Sequence, residues 1–139
     1  MSNEILLVDK KDNVCTITLN RPEKMNSLSP ALLLKLADTM EALKKEQSAR
    51  AVVIRGGGDK AFSSGYDIDS IPTTPEDRER MNRENPLQTG LNSISSYPFP
   101  VIAMINGICM GAGFELAVTC DLRVAADNVR FRMPPAKLG

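Results

Sequence analysis

The chain has 139 residues, 42% hydrophobic and 24% charged, the size and balance of a single soluble domain with one core. Its 17 basic and 17 acidic residues cancel, so no net field draws it to nucleic acid or an anionic membrane, and any anionic ligand has to be held locally. With no histidine and only Cys15, Cys109 and Cys120, none of them in CxxC spacing, the usual zinc sites, histidine general bases and Ser-His or Cys-His triads are excluded.

The N-terminus "MSNEILLVDKKDN" has no basic segment leading into a long apolar one, and no apolar run reaches bilayer-spanning length. A cytoplasmic protein with no membrane partner is the expectation. "ILLV" and "VCTITL" read as the strands of a hairpin, separated by the turn residues of "DKKDN", with Cys15, Ile17 and Leu19 on one face. After "NRPEKMN" breaks the pattern, Ser29-Pro30 has the form of an N-cap followed by proline at the first helical position. Leu32, Leu33, Leu36, Met40 and Leu43 then recur at helical spacing, which predicts a helix over Pro30 to Gln47. "AVVIRGGG" predicts a short buried strand running into a glycine loop, so the first third reads β-β-α-β.

The segment "IPTTPEDRERMNRENPLQTG" is bracketed by prolines and densely charged, which predicts a solvated loop or exposed helix, with a mobile lid as the alternative. Beyond it the order recurs: "VIAMI" as a strand, "NGICMGAG" as a turn, "FELAVTC" as a short helix and "LRVAA" as a strand. "VRFRM" alternates strictly, Val129, Phe131 and Met133 opposite Arg130 and Arg132. Asp121 is expected to be a structural hydrogen-bonding residue at the helix end.

Neither glycine loop is a Rossmann or Walker phosphate loop. Glycine-rich turns nevertheless let backbone N–H groups approach a ligand, and the first N–H groups of a helix have no internal partner. Gly111 to Gly113 stand at such a helix start, with free donors and a positive dipole end facing a negatively charged oxygen. Taken alone the loop fits half an oxyanion hole, or merely close packing against a neighbouring strand. "KAFSSGYDIDSIP" is a second loop of the same kind, with Gly65 in a tight turn, and two such loops can supply one N–H each.

Together the segments "RPEKMNSLS", "AVVIRGGGDKAFSSGYDI", "FPVIAMINGICMGAGFELAVTCDLRVAAD" and "FRMPPAKLG" resemble the crotonase, or enoyl-CoA hydratase/isomerase, superfamily over about residues 14 to 139, in the family's order. The resemblance implies an α/β fold, the crotonase-like (ClpP/crotonase) spiral of repeated β-β-α units, here truncated. It makes residues 1–139 one acyl-CoA-binding domain without the family's C-terminal continuation, either a fragment or an ordered remainder of a longer protein. A truncated spiral is expected to expose a sheet edge and apolar surface unless association covers them.

The resemblance also assigns roles. The substrate is an acyl-CoA thioester, as in fatty acid metabolism, and no cofactor is implied beyond the coenzyme A carried in the substrate. The enolate oxyanion is held by two backbone N–H groups, those of Tyr66 and Ala112, each worth about 3 kcal/mol in the transition state. The Tyr66 side chain either shapes the acyl pocket or is partly buried packing. Glu115 aligns with the first of the two acidic positions of hydratases. As a helix-start carboxylate it could be a surface residue, but Phe114, Leu116, Ala117 and Val118 leave it little polar face, and a partly desolvated carboxylate is suited to carrying protons. Ser64, Gly65, Tyr66, Asp67 and Ile68 are implied to contact the adenine or pantetheine of CoA largely through backbone, with Asp67 and Asp69 in turn and cap geometry. Gly111 joins Ala112 at the thioester. Lys24 and Met25 match the loop that lies along CoA, where Lys24 either reaches a phosphate or is an idle surface lysine.

One position breaks the pattern. Where hydratases of the family place a second glutamate, four residues before the glycine of "xLG", this chain has Pro135, which can neither donate nor accept a side-chain proton. Three readings follow. The first is an enoyl-CoA hydratase/isomerase-type lyase or isomerase; the second is a decarboxylase of malonyl-type thioesters, resembling the methylmalonyl-CoA decarboxylase branch; the third is a non-catalytic module for acyl-CoA binding or oligomerisation. The resemblance further implies a homotrimer or a dimer of trimers.

Overall fold

Asp12 and Asn13 both adopt positive φ, 51° and 68°, and reverse the chain in two residues. Such a turn matches the twist of a hairpin and is open to Asx residues, so strand β1 (Leu6–Lys11) continues through residues that read as turn before β2 (Val14–Leu19) returns antiparallel to it. The computed structural model that shows this describes residues 3–133.

Helix α1 (Pro30–Glu46) forms as its sequence dictates: Ser29 Oγ accepts from the Leu32 N–H at 3.2 Å, Pro30 occupies the first turn, and Gln47 stops the helix in the left-handed conformation. Leu32, Leu33, Leu36, Met40 and Leu43 are all buried. Strands β3 (Ala51–Gly56), β5 (Val101–Ile105) and β7 (Leu122–Ala125) add parallel to β2, giving a five-stranded sheet in the order β1-β2-β3-β5-β7. Alternate residues Cys15, Ile17, Leu19, Val52, Ile54, Val101, Ala103 and Ile105 are buried in one core with α1.

The charged proline-bracketed segment takes the exposed-helix alternative, and a second helix follows it directly. α2 (Pro75–Glu84) buries no residue, in line with its charge, whereas α3 (Pro86–Ser95) packs on α1, with Gly90 so close that a Cβ would lie 3.1 Å from Leu33 Cδ2. "NGICMGAG" is also more than a turn. Ile108–Met110 is strand β6, paired in parallel with β4 (Ala61–Ser63) on one side and β8 (Arg130–Arg132) on the other. Three residues between glycines are too few for a periodicity to show, and only the partner strands define the element. Helix α4 (Ala112–Thr119) follows directly. At its end, as expected, Asp121 is structural: Oδ2 accepts from the Val101 N–H at 2.8 Å.

The alternation read in "VRFRM" gives strand β8, with Val129 beside it packed against the core and the strand's own apolar side only lightly covered. β8 is exposed throughout, and Phe131, 51% exposed, rests edge-on against Phe114 at 5.8 Å between centroids. β7 is likewise an exposed edge, with Leu122 and Val124 open to solvent. No helix among the described residues is long and apolar enough to cross a membrane.

Candidate active site

Two loops meet where the three-stranded sheet gives way to α4. In the first, Gly65 has φ +114°, a backbone closed to other residues without strain. The next residue, Tyr66, forms a parallel bridge with Leu28: the Leu28 N–H donates to Gly65 O at 2.7 Å and the Asp67 N–H to Leu28 O at 2.9 Å. In that pattern the residue between the two bonds turns its own N–H away from the partner. The Tyr66 N–H therefore faces away from Leu28 and has no acceptor among the described residues.

The second loop arrives on the side that Gly65 leaves open. A Cβ on Gly65 would lie 3.2 Å from Met110 O and 3.6 Å from the Ala112 nitrogen. Gly111, at φ 54° and ψ −125°, turns the chain from β6 into α4, and its N–H is taken by Arg132 O at 2.9 Å. Ala112 is the first residue of α4, so its N–H has no intrahelical partner, and none among the described residues elsewhere. Gly113 allows the approach: a Cβ there would lie 2.6 Å from Ser63 O and 2.7 Å from Ser63 Cβ.

Glu115 stands one helical turn after Ala112 and on the same side of α4. The burial expected for it is not observed: Glu115 is exposed, as is Val118. The cause is helical geometry. α4 meets the core through Gly113, Leu116 and Ala117, while Glu115 and Val118, three residues apart, lie together on the opposite face.

The loop along the first site begins with a 3-10 turn, Pro22–Lys24, and continues through two left-handed residues, Met25 and Asn26. Met25 O accepts from the Ser64 N–H at 3.0 Å, which seats this loop on the start of the Gly65 loop. Asn26 is fully buried and all three of its side-chain hydrogen bonds are 2.9 Å long: Nδ2 donates to Gly57 O and Ala61 O, and Oδ1 accepts from the Arg21 N–H. The Arg21 guanidinium donates to Ser27 O at 2.9 Å and to Asp67 Oδ2 at 3.1 Å. Burial pushes the Asp67 carboxyl up, but the hydrogen bonds from Arg21 and the Asp69 N–H, with the Arg21 charge, outweigh it and hold the group below its ordinary value. Asp67 is thus a cap on the Ile68–Ser70 3-10 turn, as expected, and its carboxylate is engaged by protein. Lys24 Nζ lies 3.7 Å from Asp69, both exposed, and the Ile68 side chain is 76% exposed.

The Tyr66 phenol reaches α2, 3.6 Å from Met81 Sδ, and its hydroxyl is pushed up first by burial and then by the Asp67 charge. Beside Met81 is a cavity of about 290 Å³ whose lining joins three prolines and Met81 to the charged Asp77, Arg80 and Glu84. The structure thus gathers Met25, Ser64, Gly65, Tyr66, Asp67, Gly111 and Ala112 around one junction, with Lys24 at its rim. Arg21 and Asn26 join the site through bonds that the sequence pattern does not single out. Their signal was position: a cation before the proline and an Asx residue after Met25, inside the same "RPEKMN" segment. Pro135 lies outside the described residues.

Two sheets wound from strand-strand-helix units, with a glycine loop abutting the start of a short helix, place the chain in the crotonase class of folds, and solved members superpose on it closely. The enoyl-CoA hydratase of Bacillus anthracis matches with a TM-score of 0.89 at 34% identity, over 98% of this chain and 53% of that one. The model of the enoyl-CoA hydratase/isomerase family matches residues 9–139, and the chain belongs to that family. The crotonyl-CoA hydratase of Syntrophomonas wolfei is 34% identical over 141 residues, covering 100% of this chain and 53% of the relative. The short-chain-enoyl-CoA hydratase of Clostridium acetobutylicum is 32% identical over 136 residues, 96% of this chain and 51% of its own. The chain therefore spans about half the length of these relatives.

Proposed function

We propose that the chain carries the oxyanion-binding half of an acyl-CoA active site of the enoyl-CoA hydratase/isomerase type. The thioester carbonyl oxygen accepts from the Tyr66 and Ala112 N–H groups, Glu115 carries the proton, and the backbone from Ser64 to Ile68 with Gly111, Lys24 and Met25 lies along the substrate. The observation that carries this reading is the junction itself: Tyr66 held in a bridge that turns its N–H outward, and the free Ala112 N–H of α4 brought against Gly65. When a nucleophile adds to C3 of an enoyl thioester, or a proton leaves C2, an electron pair moves onto the carbonyl oxygen. Donors oriented before the reaction stabilise that charge by about 3 kcal/mol each, roughly a hundredfold in rate. In this reading Glu115, one turn after Ala112 on α4, exchanges a proton with the carbon framework. No cofactor is needed beyond the coenzyme A of the substrate, and a homotrimer or dimer of trimers would cover the exposed β7 edge.

Pro135 favours a second reading. A malonyl-type thioester that loses CO₂ leaves the bond's electron pair on C2, forming the same enolate without a base, so a single acid suffices to protonate it. The test of both is Glu115→Gln, with hydration of crotonyl-CoA and decarboxylation of methylmalonyl-CoA followed in parallel. Turnover is expected to fall by about 10²-fold to 10⁴-fold while CoA-ester binding persists. Unchanged turnover removes Glu115 from the mechanism; decarboxylation without hydration selects the second reading; failure to bind either ester leaves only a non-catalytic module.

A further inference from the structure

We propose that Arg21 is a positioning residue for the oxyanion donor at Tyr66, acting through the Ser27 carbonyl and the Asp67 carboxylate that flank the Leu28–Tyr66 bridge. The inference rests on the reading of the Tyr66 N–H as a donor to substrate. Ser27 immediately precedes Leu28 and Asp67 immediately follows Tyr66, so one guanidinium grips both chains of the bridge next to its paired residues. Nη1 is held on the Ser27 side by two acceptors, donating to Oγ at 3.2 Å as well as to the carbonyl. Side-chain exposures of 15% for Arg21 and 10% for Asp67 leave the pair little screened by water.

The bridge transmits this grip to the donor. The Gly65–Tyr66 peptide is planar, so any swing of the Gly65 carbonyl away from the Leu28 N–H rotates the Tyr66 N–H by the same angle. The base of the strut is itself anchored. The Arg21 N–H donates to Asn26 Oδ1, its carbonyl accepts from the Lys24 and Asn26 N–H groups at 2.9 Å and 2.8 Å, and the Asn26 amide is bound to Gly57 and Ala61 on either side of the entry to β4. The planar fork is what the geometry uses, because two acceptors on different chains are reached by two nitrogens fixed relative to one another. Lysine offers one rotating point charge in its place.

The experiment uses this chain with an α,β-unsaturated acyl-CoA carrying ¹³C at the thioester carbonyl, and reads the carbonyl stretch of the bound ester by difference infrared spectroscopy. Hydrogen bonds to the oxygen polarise the carbonyl and lower its stretch. The parent is expected to lower it, and Arg21→Lys and Asp67→Asn to lose about half or more of that lowering, with ester affinity within about threefold of the parent and an unchanged circular dichroism spectrum. Lys10→Ala, which breaks the exposed Lys10–Glu46 pair, is the control and is expected to match the parent. Full lowering in both variants overturns the role of Arg21 and leaves the donor reading standing. Loss of affinity together with the folded spectrum makes Arg21 structural and also overturns it. A parent that binds the ester without lowering the stretch, or does not bind it, overturns the donor reading and this inference with it.

Discussion

Replacing Asn26 with alanine should be among the most damaging single changes outside the hydrophobic core. The side chain is fully buried, and its removal orphans three backbone groups at once: Gly57 O, Ala61 O and the Arg21 N–H, each now bonded at 2.9 Å. A buried polar group left without a partner costs about 1–3 kcal/mol. Asn26 also sits at φ 55°, a conformation asparagine tolerates and alanine resists. With some relief from entering water, the loss comes to about 3–6 kcal/mol, much of the about 5–15 kcal/mol that holds a domain together. At a urea slope of about 1.5 kcal/mol/M, the unfolding midpoint should fall by about 2 M or more. Asn26→Asp separates shape from donation: it keeps the acceptor for Arg21 but turns a carboxylate on the two carbonyls, and is expected to lose at least as much at neutral pH. An Asn26→Ala midpoint within about 0.5 M of the parent would refute the claim that these three bonds carry the loop.

Gly113→Ala forces a Cβ to within 2.7 Å of Ser63 O and Cβ, neither of which can swing away, so α4 must retreat from β4. In the proposed site this moves the Ala112 N–H, and crotonyl-CoA turnover is expected to fall by about 10²-fold; parent-like turnover would show that the donor need not sit so close. The three cysteines are buried and free, and burial pushes the Cys109 thiol up to about 11 and the Cys120 thiol up to about 12. Because both folded values lie above the ordinary 9.0, the neutral thiols' contribution to stability is intact below pH 9 and is lost as pH rises through the folded values. The native chain should therefore leave an aromatic disulfide reagent unreacted at pH 8, and its denaturant midpoint should decline above pH 9; rapid native labelling or a flat midpoint up to pH 11 would contradict the burial.

What was legible in the sequence follows a physical rule. α1 was legible because its cap, its proline and five apolar residues at helical spacing all point the same way. Strands β3 and β5 were legible as short apolar runs, since alternate residues of each are buried in the core with α1. β6 and α3 were not. β6 is defined by partners on either side, and the apolar positions of α3, Leu87, Leu91 and Ile94, straddle the end of a charged segment whose first half is solvated. The exposure of Glu115 is hidden in the sequence for a related reason: a run of apolar neighbours wraps around a helix, and only Gly113, Leu116 and Ala117 share the buried face.

The site residues divide along the same line. In the proposed site a backbone donor makes no demand on its own side chain, so the identities of Tyr66 and Ala112 say little by themselves. The demand falls on neighbours: Gly65 because its φ of +114° is closed to other residues without strain, Gly113 because a Cβ would strike Ser63, Asn26 because a left-handed buried residue must satisfy three backbone groups, and Arg21 because two chains have to be held at adjacent residues. The Tyr66 side chain is left free to point elsewhere, and it does so toward Met81 and the cavity beside α2. In the proposed site, one residue thus separates its duties: its peptide, held by the bridge to Leu28, meets the reacting oxygen, while its ring is available to shape what lies beyond the thioester. Changes at the ring should then alter which acyl group is accepted, and changes at Gly65, Arg21 or Asn26 should alter how fast any of them reacts.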